Sequence, residues 1–156
     1  MNVDRSVVGR RSEPHSVDVE RGRLRFFAKA TGQADPVYRD LEAARRAGHR
    51  DLPVPPTFLF CLEMENPAPW GIADALGVDL RSLLHAGQSF EYHAMAYAGD
   101  RLTFVSEVSD VYEKKGGALT FVVRTTEVTR DGEPVATMVS TLVVRDLPGA
   151  GTGGGR

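Results

Sequence analysis

A chain of 156 residues with 42% apolar and 26% charged residues has the size and balance of one compact domain, which excludes a disordered, fibrous or collagen-like polymer. Its 19 basic and 21 acidic residues leave a formal charge of −2. No chain-wide positive field therefore exists to gather the phosphates of nucleic acid or of an anionic membrane, and neither is an expected partner. The single cysteine, Cys61, rules out an internal disulfide or a multi-thiolate metal centre and suits a reducing compartment. Inside Phe58-Leu59-Phe60-Cys61-Leu62 it reads as a small core residue rather than a nucleophile. The first nine residues lack an apolar run of signal-peptide length, and nowhere do about 18 uninterrupted apolar residues occur, so a cytoplasmic protein is expected.

The elements change character along the chain. Asp18 is placed as a helix N-cap, and Leu24, Phe27, Ala28 and Thr31 then fall on one helical face that Gly32 ends. A second short helix is expected over residues 40–47, stopped by Gly48, and Pro53-Val54-Pro55-Pro56 imposes an extended stretch after it. Thr57 is placed as the cap of the next element, Phe58 to Met64, which is apolar nearly all round and so reads as a helix buried on every side. From Gln88 the pattern turns to strands: 88–97, 101–113, 118–129 and 134–145. They are rich in β-branched residues and separated by Gly99-Asp100, Gly116-Gly117 and Asp131-Gly132 turns. Short links imply antiparallel pairing. The fold class is α+β: an antiparallel sheet of about five strands wrapped around a central helix, the hotdog arrangement. Residues 1–147 form one domain, with the folded unit starting near Val8, and residues 148–156 are read as a flexible glycine-rich tail.

The chemistry is concentrated in Phe26-Phe27-Ala28-Lys29-Ala30-Thr31-Gly32-Gln33-Ala34-Asp35-Pro36-Val37-Tyr38. This segment resembles the signature loop of the MaoC-like, or (R)-specific, enoyl-CoA hydratases and 3-hydroxyacyl-thioester dehydratases. That loop runs aromatic, alanine, small residue, glycine, aspartate, any residue, asparagine, proline, aliphatic, histidine. By this resemblance the glycine falls on Gly32, the catalytic aspartate on Gln33, the asparagine on Asp35, the proline on Pro36 and the catalytic histidine on Tyr38. The frame matches and the catalytic pair does not. Gln33 carries a neutral amide that accepts no proton, and an ordinary tyrosine such as Tyr38 titrates near 10, so general acid–base addition of water to an acyl thioester is not expected of this pair.

Two further stretches resemble the N-terminal-type half of these enzymes. Leu52-Pro53-Val54-Pro55-Pro56-Thr57-Phe58 is similar to its lead into the central helix. Leu84-His85-Ala86-Gly87-Gln88-Ser89-Phe90-Glu91-Tyr92-His93 with Ala98-Gly99-Asp100-Arg101-Leu102 is similar to its first long strand and turn. Together the matches cover residues 8–145. Such a half lacks the catalytic pair, binds the acyl chain and joins an active half. The resemblance thus implies a subunit of an (R)-specific enoyl-thioester hydratase or 3-hydroxyacyl-thioester dehydratase, with an acyl-CoA or acyl-carrier-protein thioester as ligand. Its partner is a MaoC-like catalytic subunit, or a second copy of itself as a homodimer.

The resemblance implies substrate-binding roles for Gly32, Pro36, Pro56, Thr57, His85 and Gln88, and no cofactor. Other readings stay open: a homodimeric hydratase or thioesterase working through other residues such as Asp35, His49 or His85, and a non-catalytic acyl-CoA-binding protein. Asp35 before Pro36 is above all turn chemistry, His49 a loop histidine and His93 a strand residue. Trp70 anchors a loop, and Glu42, Arg45, Arg46 and Arg50 form a solvated helix face. The 4 histidines have no close pair at metal-ligand spacing, so no metal site is expected.

Overall fold

The computed structural model describes residues 3–68 and 71–145. After a 3₁₀ turn, Arg5–Val7, come strand β1 (His15–Asp18) and helix α1 (Arg21–Ala30). A 3₁₀ turn, Pro36–Tyr38, leads to α2 (Leu41–Arg46), α3 (Phe58–Glu63) and α4 (Gly71–Leu76). A last 3₁₀ turn, Leu80–Ser82, precedes the long strands β2 (Leu83–Tyr92), β3 (Arg101–Lys114), β4 (Leu119–Arg130) and β5 (Glu133–Arg145). All pairings are antiparallel and the order is β1-β3-β4-β5-β2, which leaves β1 and β2 at the edges.

Local chemistry sets the helix ends. α1 closes in a Schellman motif: Gly32, at φ 69°, donates its amide to the Lys29 carbonyl at 3.3 Å while the Gln33 amide reaches that of Ala28 at 2.8 Å. Glycine fits because other residues are strained in this left-handed region. The same motif ends α2 at Gly48, with His49 bonding back to Ala44 at 3.0 Å, and the Asp40 carboxylate caps its start on the Ala43 amide at 2.6 Å. Asp131 and Gly132 both take positive φ, the two-residue turn whose twist suits a β4–β5 hairpin.

The sheet curves around α3. Phe58, Leu59 and Leu62 of α3 pack with Leu24 of α1 and with Leu102, Phe104, Val128, Ala136 and Met138 of the sheet, all nearly inaccessible. A second cluster joins Val108, Val111, Val122 and Val144 to Leu76 of α4 and to Val3 and Val7.

Several sequence expectations are corrected here. Asp18 is the last residue of β1, a strand that the apolar period did not reveal, and Glu20 holds the N-cap position without a side-chain bond. Folding begins before Val8, since Val3 is 2% exposed. The first long strand starts at Leu83 rather than Gln88, because a register shift between His85 and Gly87 hides it behind residues of low strand propensity. It also ends at Tyr92: the His93 and Ala94 amides both turn to the Val135 carbonyl, which ends regular pairing before Tyr97. Thr57 gives α3 no side-chain cap and instead holds φ 72°, an uncommon conformation for a β-branched residue. Nor is α3 buried on every side: Phe60 and Cys61 are half-buried. The tail at 148–156, the boundary at 147 and Trp70 lie outside the described residues.

Candidate functional site

The signature loop leaves α1 through Gly32 and is held in shape by its own polar groups. The Gln33 side-chain oxygen accepts the Asp35 amide at 3.1 Å, and the Asp35 carboxylate accepts the Val37 amide at 3.0 Å, capping the 3₁₀ turn that opens on Pro36. Asp35 is thus engaged in turn chemistry. Two arginines bind the loop from outside, Arg39 donating to the Ala34 carbonyl at 2.8 Å and Arg25 to that of Arg39 at 2.9 Å. Val37 packs into the main core, while Gln33 and Tyr38 are half-buried. The loop is held by these bonds, and the side chains that Gln33 and Tyr38 place on it are an amide and a phenol.

His49 and Asp100 belong to a different cluster. Buried Asp100 accepts hydrogen bonds from Arg50, from Arg130 at 2.6 Å and from the Tyr97 amide at 2.9 Å. Burial pushes its carboxyl pKa up, but Arg50, the Tyr97 amide and Arg130 outweigh this and hold it below the ordinary value. Tyr97, fixed in this way, meets His49 Nδ1 at 3.3 Å and lies 4.8 Å from the Arg50 guanidinium. The group orders the turn before β3, and His49 is occupied within it.

At the start of α3, Thr57 donates its amide to the Tyr92 hydroxyl at 3.0 Å, and Phe60 stacks on His85 at 5.2 Å. His85 Nε2 lies 3.3 Å from Gln88 Oε1. Thr57, His85 and Gln88 are therefore gathered where α3 meets the open edge strand β2, which also exposes Leu84 and Tyr92. Pro56 is exposed beside them. His93 lies on the surface, 2.9 Å from the Thr137 hydroxyl.

The other end of α3 holds a group that the sequence did not single out. Glu63, only 4% exposed, receives Arg124 at 2.5 Å, Thr126 at 2.7 Å and Ser106 at 3.1 Å on one carboxylate oxygen. His15 stacks on Phe104 at 5.2 Å beside them, and burial, the chief influence, lowers its imidazole pKa. Glu63 Oε2, Arg124 Nε and His15 Nε2 are buried without a partner among the described residues. These residues form the inner end of a cavity of about 560 Å³. Met64, Pro67, Ala68, Ala75 and Val108 supply its apolar walls, and Arg10, Arg11 and Glu13 belong to its lining. The available signal was a lone carboxylate in the apolar run from Phe58 to Met64, matched by an arginine in the middle of a β-branched strand. Among the described residues no group of His, Cys, Asp and Glu has metal-binding geometry, and no helix is long and apolar enough to cross a membrane.

Residues 6–138 match the family described as FAS1-like, dehydratase domain region. The chain is 38% identical to a UPF0336 protein of Saccharopolyspora erythraea, over 93% of each chain. Its fold is similar to a chain of the HadBC (3R-hydroxyacyl-ACP dehydratase) complex of Mycobacterium tuberculosis, with TM-score 0.75 and 28% identity over 88% of this chain and 96% of that one. It also resembles a chain of the ChsH1–ChsH2 complex of the same organism, with TM-score 0.73 and 22% identity, covering 90% of this chain and 92% of that one. The sheet wrapped on α3 is the hotdog fold of hydratases and dehydratases of the MaoC-like kind.

Proposed function

The chain belongs to the FAS1-like dehydratase-region family, and from that premise we propose that it is the substrate-binding subunit of an (R)-specific enoyl-thioester hydratase or 3-hydroxyacyl-thioester dehydratase. The observation that carries this reading is an intact signature-loop frame without a base. Gly32 is left-handed, Asp35 caps and Pro36 opens the turn, but Gln33 and Tyr38 occupy the two positions that must exchange protons with the substrate. A partner chain with the intact aspartate and histidine supplies that chemistry. The two join along the open β2 edge, whose unpaired backbone groups otherwise invite uncontrolled strand pairing. A second copy of this chain is the other possible occupant of that edge, and it would bring no base. In this reading Gly32 and Pro36 shape the loop, Pro56, Thr57, His85 and Gln88 receive the polar part of the thioester at the joint, and the acyl group runs from there along α3 so that its far end enters the cavity at the other end of the helix.

The test is co-expression with a MaoC-like chain that carries the intact loop, followed by hydration of crotonyl-CoA. The purified chain alone should work near background, since acid and base groups each contribute about 10²–10⁴-fold, and the co-purified pair should turn over. In the isolated chain, Gln33→Asp with Tyr38→His should give a weak gain, because a misplacement of about 1 Å costs roughly 10²-fold. Turnover near 10 s⁻¹, the ordinary enzyme value of about that size, by the isolated chain and undiminished in Gln33→Ala with Tyr38→Phe, would overturn the proposal.

A further inference from the structure

The inner end of the cavity beside α3 holds a charged pair that a container for a plain alkyl chain does not need. The Glu63 side chain is 4% exposed and that of Arg124 16%. Replacing such a buried pair with apolar side chains of similar volume is commonly neutral or stabilising, so fold stability alone does not call for it. Its bonding is lopsided: Arg124, Thr126 and Ser106 all converge on Glu63 Oε1, while Glu63 Oε2, Arg124 Nε and His15 Nε2 remain unpartnered among the described residues. The set therefore keeps spare acceptor and donor capacity next to a cavity that Ser106, Arg124 and His15 themselves line.

A saturated chain end pressed against these groups shuts out water and bonds to none of them, which leaves buried polar atoms unsatisfied. A chain end carrying a hydroxyl behaves differently: it donates toward the carboxylate and accepts from the guanidinium or imidazole. Because carboxylate and guanidinium cancel in charge, the matching group is neutral.

We propose that Glu63 and Arg124 are specificity determinants of this cavity, selecting an acyl group whose far end carries a neutral hydrogen-bonding group over a saturated chain of the same length. The proposal rests on the acyl-binding reading above.

Calorimetric titration of the full chain with octanoyl-CoA and with 8-hydroxyoctanoyl-CoA tests it. The hydroxylated ligand should bind at least about tenfold more tightly, a site built for a hydroxyl being one that rejects the analogue lacking it. In Glu63→Leu with Arg124→Leu the order should invert, and decanoyl-CoA should gain over octanoyl-CoA by about fourfold for each methylene buried. Equal binding of the two eight-carbon ligands by the unaltered chain overturns the specificity assignment and leaves the acyl-binding reading standing. Failure to bind either ligand overturns both. The comparison in the unaltered chain needs no variant, so misfolding of the double variant does not remove the test.

Discussion

Replacing Glu63 with leucine takes away the only carboxylate that faces Arg124 among its described contacts, while the Ser106 and Thr126 hydroxyls, 2.8 Å apart, keep each other as partners. Breaking a buried pair by deleting one partner costs about 3–5 kcal/mol, mostly from the charge left behind. Arg124 borders the cavity and keeps 16% side-chain exposure, so water relieves part of this and the expected loss is near the lower limit, about 3 kcal/mol. That is a large share of the roughly 5–15 kcal/mol by which a domain is stable, and it lowers Tm by about 6–12 °C at this chain length. Removing both charges, in Glu63→Leu with Arg124→Leu, should restore stability to within about 1 kcal/mol of the unaltered chain, because no charge is then orphaned. Urea unfolding followed by circular dichroism measures all three proteins, and an unchanged m-value keeps the comparison valid. The reasoning fails if the single variant is as stable as the parent, for then Arg124 is solvated without Glu63, or if the double variant is as damaged as the single one.

The low imidazole pKa of His15 means that the unfolded chain takes up a proton first on acidification. Stability is then lost as pH falls below about 6.5 toward the folded pKa. His15→Phe keeps the stacking on Phe104 and should remove that slope, read as urea midpoints between pH 5 and 7.5; an unchanged slope would assign it elsewhere. Asp51, held at a pKa of about 2 chiefly by its hydrogen bond from Arg21, contributes stability that is full above about pH 4 and is lost as pH falls toward 2. Arg21→Gln should flatten that acid limb of the unfolding curve. Leu62→Ala, at a fully buried position of α3, should cost about 2–5 kcal/mol, and a loss under 1 kcal/mol would show that the sheet does not close on this helix.

Much of the fold was legible because its signals are local. Glycine at 32 and at 48 stops a helix by accepting a conformation that other residues resist, and Asp131-Gly132 selects a hairpin. The β-branched runs of β4 and β5 favour a pleated surface over a helix. The turn over residues 33–38 was equally legible, since its shape is made by bonds between residues two apart, Gln33 to Asp35 and Asp35 to Val37. Strand β1 was not: four residues, of which only Val17 is buried, offer too little alternation, and the strand exists because β3 presents it with an edge. The polar group at the inner end of the cavity likewise belongs to the tertiary structure. It draws His15 from β1, Glu63 from α3, Ser106 from β3, and Arg124 and Thr126 from β4, and the register that sets Ser106 opposite Thr126 brings both hydroxyls under one carboxylate. Nothing in the chain near Glu63 specifies a partner 61 residues away. The burial of a charge is affordable only where distant strands deliver the opposite charge and the hydroxyls to meet it, and that delivery is decided by sheet register rather than by local propensity.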